Sequence, residues 1–401
     1  MTFARLSLTI LITWLIVPGA SLAARPGPDD FGAKEAAATL HARWPFPPSG
    51  LSGAALAETR ARSATSWINS KPLFTPAQGP SGMRGVVSLD PSLEGKLVLL
   101  SFWDYTNTNA LRMIPYLSAW HDRYSKEGLV IVGVHSPEFP FSAQPGNVAK
   151  AVKRLGITYP VYLDSDFLIW RLFENQHWPR TILIGPGGRW ILDRIGYANT
   201  GEIESAIRNA LGKGQGKANA TPILPSPFEE RPEADCYPTT ETTYAGYSRG
   251  RLGAPGYNEE GAAVAYQIPR HAEVRQEAVI YLEGRWRATA QTLFTAGDGP
   301  WEMRVKFQGA GVKGVIAPAA SDASARLRVT LDDAPVPAAY RGSDLQPGPG
   351  NETHVILSEP RLAEVITHLP AGAHELAIFP ESAGTGISAF YFERCELPTQ
   401  K

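Results

Sequence analysis

Cysteine is nearly missing: the 401-residue chain has two, Cys236 and Cys395. Two cysteines exclude a multi-bridge disulfide framework and a Cys-rich zinc site. Charge is scarce as well, at 19% of residues, and neither sign is in excess. With 38 Lys plus Arg against 39 Asp plus Glu, the net charge is -1. That excludes the basic surface of a general nucleic-acid binder. No nucleophile elbow, Walker loop or dinucleotide fingerprint occurs, and no internal repeat. The glycines between Gly246 and Gly253 lack a strand–helix context and read as a loop. His121, His135 and His177, with Asp104 and Glu138, follow no metal-ligand spacing, so neither a metal nor a cofactor is expected.

Glycine and proline are plentiful, at 38 and 34 residues, which points to a globular, loop-rich and partly β protein. The start reads as a secretory signal peptide over 1–23. Met1–Arg5 is short and basic, Leu6–Val17 is apolar, and Ser21 and Ala23 suit cleavage before Ala24. The competing reading is a membrane anchor. The run is short of the roughly 20 residues a spanning helix needs, and Pro18-Gly19 breaks it. No later stretch approaches spanning length. A periplasmic or secreted location is therefore expected, and such a compartment permits a disulfide.

Residues 24–65 form an Ala-, Pro- and Gly-rich extension with a helix expected over Ala54–Ser63. Residues 66–212 read as an α/β domain. Lys96–Trp103 and Leu129–His135 are apolar runs of the kind buried on both sheet faces. Helical spacing covers Leu111–Tyr124, with a kink expected at Pro115, and then Asn147–Leu155 and Phe167–Glu174. Tyr159–Asp164 is a short strand, and Arg180–Ile184 with Trp190–Ile195 is a hairpin. Thr200 is expected to cap a final helix. A linker over 213–233 leads to residues 234–398, where many short strands predict an antiparallel β-sandwich of the jelly-roll or carbohydrate-binding-module kind. Cys236 and Cys395 begin and end that segment. A structural disulfide between them, worth about 2–4 kcal/mol, is the main reading. A relocated redox pair is the rival.

The string SFWDYTNTNALRMIPYLSAWHDRY (101–124) resembles the redoxin domain at the C-terminus of DipZ-type thiol–disulfide proteins, where the family reads approximately FWTYTCINCLRTLPYL. The resemblance continues through VIVGVHSPEF (130–139), GITYPVYLDSD (156–166) and HWPRTILIGPGGR (177–189). TYAGY (243–247), YLEGRW (281–286), VTLDDAPV (329–336) and AFYFE (389–393) resemble the β-sandwich that follows that domain in the family. The resemblance implies a thioredoxin-like fold. It also implies thiol chemistry from a C-x-x-C pair at a helix N-terminus, where the dipole and free N–H groups favour a thiolate.

The positions that match those cysteines are Asn107 and Ala110, and neither side chain forms a thiolate. Ser101 stands where many thioredoxins carry a buried acid. The expectation is a redox-dead thioredoxin-fold protein that is not a conventional enzyme. Trp178-Pro179 matches the cis-proline position. Trp103, Tyr105, Asn107, Asn109 and Trp178, with Pro179, are expected to ring a patch able to take an extended peptide or an envelope protein. The bland reading of Trp103 and Trp178 is packing. Trp286, Trp301, Tyr281 and Tyr340 are candidates for stacking on a glycan. The main functional reading is a non-catalytic binding or scaffold protein. The alternatives are an oxidoreductase of atypical mechanism, one that borrows a partner's thiols, and an assembly subunit.

Overall fold

The structure is a computed structural model that describes residues 65–77, 86–212, 222–225, 235–236, 239–253, 255–257, 261–319, 324–370 and 372–396. The expected signal peptide, the helix expected over Ala54–Ser63 and most of the expected linker lie outside the described residues.

The first sheet has six strands in the order β1-β6-β5-β4-β7-β8, formed by Trp67–Ile68 (β1), Leu97–Trp103 (β4), Leu129–His135 (β5), Val161–Leu163 (β6), Arg180–Ile184 (β7) and Trp190–Ile195 (β8). Phe74–Ala77 (β2) and Val86–Leu89 (β3) pair separately. Strand β4 runs parallel to β5 and antiparallel to β7, so the sheet is mixed, as expected of a thioredoxin-like fold. Alternation along β4 sends Leu97, Leu99 and Trp103 to one face and Leu100 and Phe102 to the other. The first face packs on Met113, Leu117 and Trp120 of helix α1 (Thr108–Tyr124) and on Ile203 and Ile207 of α4 (Thr200–Ala210). The second packs on Ile169 of α3 (Leu168–Leu172) and on Phe173. Helix α2 (Pro145–Arg154) adds Val148, Ala151 and Val152 to the first core.

Two local expectations are corrected. Helix α1 starts at Thr108 rather than Leu111, because Asn107 caps it, and Pro115 lies inside it without ending it. Helix α4 has Asn199 at the cap position, while Thr200 is its first residue. Glu204 of α4 is fully buried and accepts hydrogen bonds from Trp120 Nε1 (3.1 Å), Tyr124 OH (2.6 Å) and the backbone N–H of Leu224 (2.8 Å). This carboxylate ties α1, α4 and the linker together.

The second region is antiparallel along its ladders and forms two layers around one core. One layer contains Ala263–Tyr266 (β11), Leu293–Thr295 (β13), Gly386–Glu393 (β22), Gly311–Ala317 (β15) and Arg361–Ile366 (β20), with Thr243–Tyr244 (β10) beside β22. The other contains Glu302–Gln308 (β14), Ala373–Pro380 (β21), Ala325–Leu331 (β16), Thr353–Leu357 (β19), Leu345–Pro347 (β18) and Ala334–Pro335 (β17). Ile280–Ala288 (β12) joins both layers: its first half pairs β14, and its second half pairs β11 and β13. Gly284 marks the change. Its φ is +86, and a Cβ there would stand 2.3 Å from the carbonyl oxygen of Pro300. Asp235–Cys236 (β9) and Cys395–Glu396 (β23) pair with Cys236 directly opposite Cys395. Facing residues of an antiparallel pair have Cα atoms roughly 4.5–5.5 Å apart, within the range a disulfide spans.

Candidate functional site

The parallel strands β4 and β5 end side by side at Trp103 and His135. The loops that follow build the site. Asp104, fully buried, holds them together. One carboxylate oxygen accepts from the N–H and hydroxyl of Thr106, and the other accepts from Glu138 N (2.8 Å) and Ser142 Oγ (2.6 Å). This arrangement fixes Asn107 at the start of α1 and Glu138 beside it.

Asn107, which the sequence resemblance matches to a first thiol, caps α1. Its Oδ1 accepts Ala110 N at 3.1 Å, an N-cap of the ordinary kind, and its Nδ2 donates to Glu138 Oε2 at 3.1 Å. Glu138 is 3% exposed and is the hub of the site. The remaining donors come from the β-sandwich. Tyr391 OH reaches Oε2 at 3.2 Å, Tyr244 OH reaches Oε1 at 3.2 Å, and Arg249 Nη1 reaches Oε1 at 3.0 Å. Burial together with the neighbouring Glu138 charge pushes the phenols of Tyr244 and Tyr391 up, so both remain neutral donors. Arg249 lies over the Tyr244 ring, 3.7 Å from its centre.

Around this centre the two regions share an apolar cluster. Phe139 packs with Val315, Leu362, Ala389 and Tyr391, and with half-buried Leu111, Phe141 and Tyr244. Ion pairs flank it: Arg112 with Glu393 (3.4 Å), and Arg154 with Glu359. The second region of the same chain thus packs over the start of α1 and the loop that carries Glu138.

Behind the hub, His135 is fully buried. It lies edge-on to Trp103 and is stacked on Tyr105, with ring centres 5.0 and 5.5 Å away. Burial pushes its pKa down despite Asp104 Oδ2 at 3.7 Å, so the ring is neutral. Neither ring nitrogen has a hydrogen-bond partner among the described residues, nor do Trp103 Nε1 and Tyr105 OH.

The expected ring of exposed site residues is therefore corrected. Trp103 and Tyr105 are core residues, 1% exposed, and Asn107 is 8% exposed. Ala110 is buried. Asn109 is half-buried and accepts Arg112 Nη1 at 3.2 Å. The Trp178–Pro179 bond is cis and Pro179 is buried. Trp178 is half-buried, donates Nε1 to Ser136 O at 2.9 Å and leans on Trp170, 4.3 Å between ring centres. Only Asn109 and Trp178 of that set keep appreciable exposure.

The proposed sugar platform is corrected too. Trp286, Trp301 and Tyr281 are buried, and Tyr340 packs half-buried against the same core. The indole N–H groups of Trp286 and Trp301 donate to Glu283 O and Ala296 O, so their polar edges are already used. No group of three or more His, Cys, Asp or Glu side chains among the described residues is placed to hold a metal ion.

Sequence reasoning missed Glu138 as a hub, and missed Tyr244, Arg249 and Tyr391 entirely. Their strings, TYAGYSRG and AFYFE, were visible, but their meeting with Glu138 spans more than a hundred residues of chain. The tyrosines of β10 and β22 were the available signal.

Residues 75–189 match the AhpC/TSA family, and residues 240–392 match the thioredoxin-like C-terminal domain family. The chain is similar to protein DipZ of Mycobacterium bovis, 32% identical over 241 residues, which is 59% of this chain and 32% of that protein. It is also similar to NHL repeat-containing protein 2 of Bos taurus, 36% identical over 138 residues, covering 33% of this chain and 19% of that one. The chain thus spans a third or less of the length of these two relatives. A crystallised thiol:disulfide interchange protein of the thioredoxin family from Chlorobium tepidum is 22% identical, covering 31% of this chain and 87% of its own, with a TM-score of 0.28.

Proposed function

We propose that this chain, a homologue of DipZ with an AhpC/TSA-type thioredoxin-like domain ahead of a thioredoxin-like C-terminal domain, is a non-catalytic, exported scaffold or binding protein. Its former thiol face has been turned over to holding its own β-sandwich. The observation that carries this reading is Glu138. One buried carboxylate gathers Asn107 from the thioredoxin-like side and Tyr244, Arg249 and Tyr391 from the sandwich.

Thiol–disulfide exchange begins with a thiolate attacking a sulfur along an open approach. Asn107 supplies no thiolate, and the approach is filled by Phe139, Leu111 and Tyr391. What remains accessible beside the old site is the Trp178 region, which suits an extended segment of a protein partner. Export rests on the signal-like N-terminus. Among the described residues no helix is long and apolar enough to cross a membrane.

The test is reduction of insulin by dithiothreitol, followed by turbidity, with and without the full-length protein. The uncatalysed rate is expected in both. Acceleration that is lost on changing Asn107 or Trp178 would instead establish an atypical oxidoreductase.

A further inference from the structure

The sandwich has a cleft of about 670 Å³ at the end of one layer, far in sequence from the Glu138 hub and lined only by sandwich residues. Small-molecule sites occupy roughly 300–1,000 Å³. One wall is the β13–β14 loop with Asp298, Pro300 and Trp301, and the other is the start of the β21–β22 loop after Phe379 and Pro380. The walls are pinned together. Thr295 Oγ1 donates to Ser382 O at 2.8 Å and accepts Thr385 N at 2.9 Å.

The charges in the cleft sort into used and unused. His354, buried on β19, stands 3.2 Å from Glu381 and 3.5 Å from Glu352, and Arg326 holds Glu381 at 2.9 Å. Those two carboxylates are engaged. Arg328 faces Phe379 across the β16–β21 ladder, and its guanidinium lies 3.7 Å from the centre of that ring. Its ion-pair partner, Glu352, is 3.8 Å away, beyond hydrogen-bond length, so the donor fork is oriented but underused. Asp298, exposed on the opposite wall, has no hydrogen-bond or ion-pair partner among the described residues. The groups left for a ligand are one oriented cation and one carboxylate, above a floor of Trp301, Pro300, Phe379 and Pro380.

We propose that this cleft binds a small zwitterion, a free amino acid or short peptide with apolar side chains. Arg328 takes the carboxylate as a fork, Asp298 takes the ammonium group, and the apolar floor takes the side chains. Arg328 already covers a face of Phe379 and Trp301 is buried, so the floor offers apolar edges rather than a stacking platform. The site belongs to the sandwich alone and stands whether or not the former thiol face is inert.

Isothermal titration of the full-length protein with leucyl-leucine, with its N-acetylated amide and with a neutral disaccharide tests this. Saturable binding of the free dipeptide at millimolar concentration is expected, weakened at least about tenfold (1.4 kcal/mol) when both ends are blocked. Arg328→Met should abolish it, and Asp298→Asn, at an exposed position, should weaken it about tenfold with an unchanged unfolding midpoint. No saturable heat from the dipeptide overturns the proposal. So does equal binding of the blocked peptide or the disaccharide, or wild-type affinity in both variants.

Discussion

Replacing Glu138 should loosen the grip of the sandwich on the thioredoxin-like region, and the structure sets the size of the effect. Four side-chain donors converge on this carboxylate, three of them from the sandwich. A hydrogen bond to a charged group contributes about 1.5–3 kcal/mol, but the contributions do not add when the donors can find water. Arg249 has that escape, because its side chain is 35% exposed. The hydroxyl of Tyr391 has none, since the residue is buried. Removing the carboxylate leaves two buried donors, Tyr391 and Asn107, unsatisfied at about 1–3 kcal/mol each. Glu138→Ala should therefore lower stability by about 2–6 kcal/mol. Glu138→Gln keeps the shape and loses the charge, and should cost about 1–3 kcal/mol. Urea unfolding of both variants, each combined with Arg249→Met, gives a double-mutant cycle. A coupling of at least about 0.5 kcal/mol between the two residues is expected. Strict additivity with a loss under about 0.5 kcal/mol would refute the hub.

Three further outcomes follow from the same geometry. Asn107→Cys with Ala110→Cys should restore a dithiol yet leave insulin reduction at background, because the sandwich covers the site; adding Glu138→Ala should raise the rate, and full activity in the double variant alone would contradict the cover. Burial pushes the Asp164 carboxyl up to about 7 from its ordinary 3.8, outweighing donation from Ser136 Oγ and from the N–H groups of Ile169 and Trp170. The folded state then binds a proton that the unfolded chain releases between those values. The stability from that proton is complete below 3.8 and is lost as pH rises through about 7, with a slope of at most about 1.4 kcal/mol per pH unit. Asp164→Asn should flatten that decline in unfolding measured from pH 4 to 8, and an unchanged slope would count against it. Thiol titration of the denatured, unreduced protein should find no free thiol, since Cys236 and Cys395 face each other in register, whereas two free thiols would exclude the bridge.

The elements were largely legible because their periods are local. The run LVLLSFW announced a strand buried on both faces, and Arg180–Ile184 with Trp190–Ile195 announced its hairpin to the residue. The apolar spacing begins only at Leu111, whereas α1 starts three residues earlier at Thr108, because the Asn107 cap and the first polar turn carry no hydrophobic period. The site was less legible because exposure is a tertiary property. Nothing local distinguishes a tryptophan at a groove edge from one in a core, so Trp103, Trp286 and Trp301 read as surface candidates in the sequence although the fold buries all three. Glu138 was visible only as one acid near several histidines. Its role depends on Tyr244, Arg249 and Tyr391, which folding alone brings to it.

Whether the sandwich closes over Asn107 can be read by labelling a single Asn107→Cys variant of the full-length protein with a maleimide, using Lys126→Cys, exposed after α1, as the control site. The thiol at 107 should react at least about tenfold more slowly than the one at 126, and Glu138→Ala should remove much of that difference. Equal labelling at 107 and 126 in the otherwise native protein would contradict that closure.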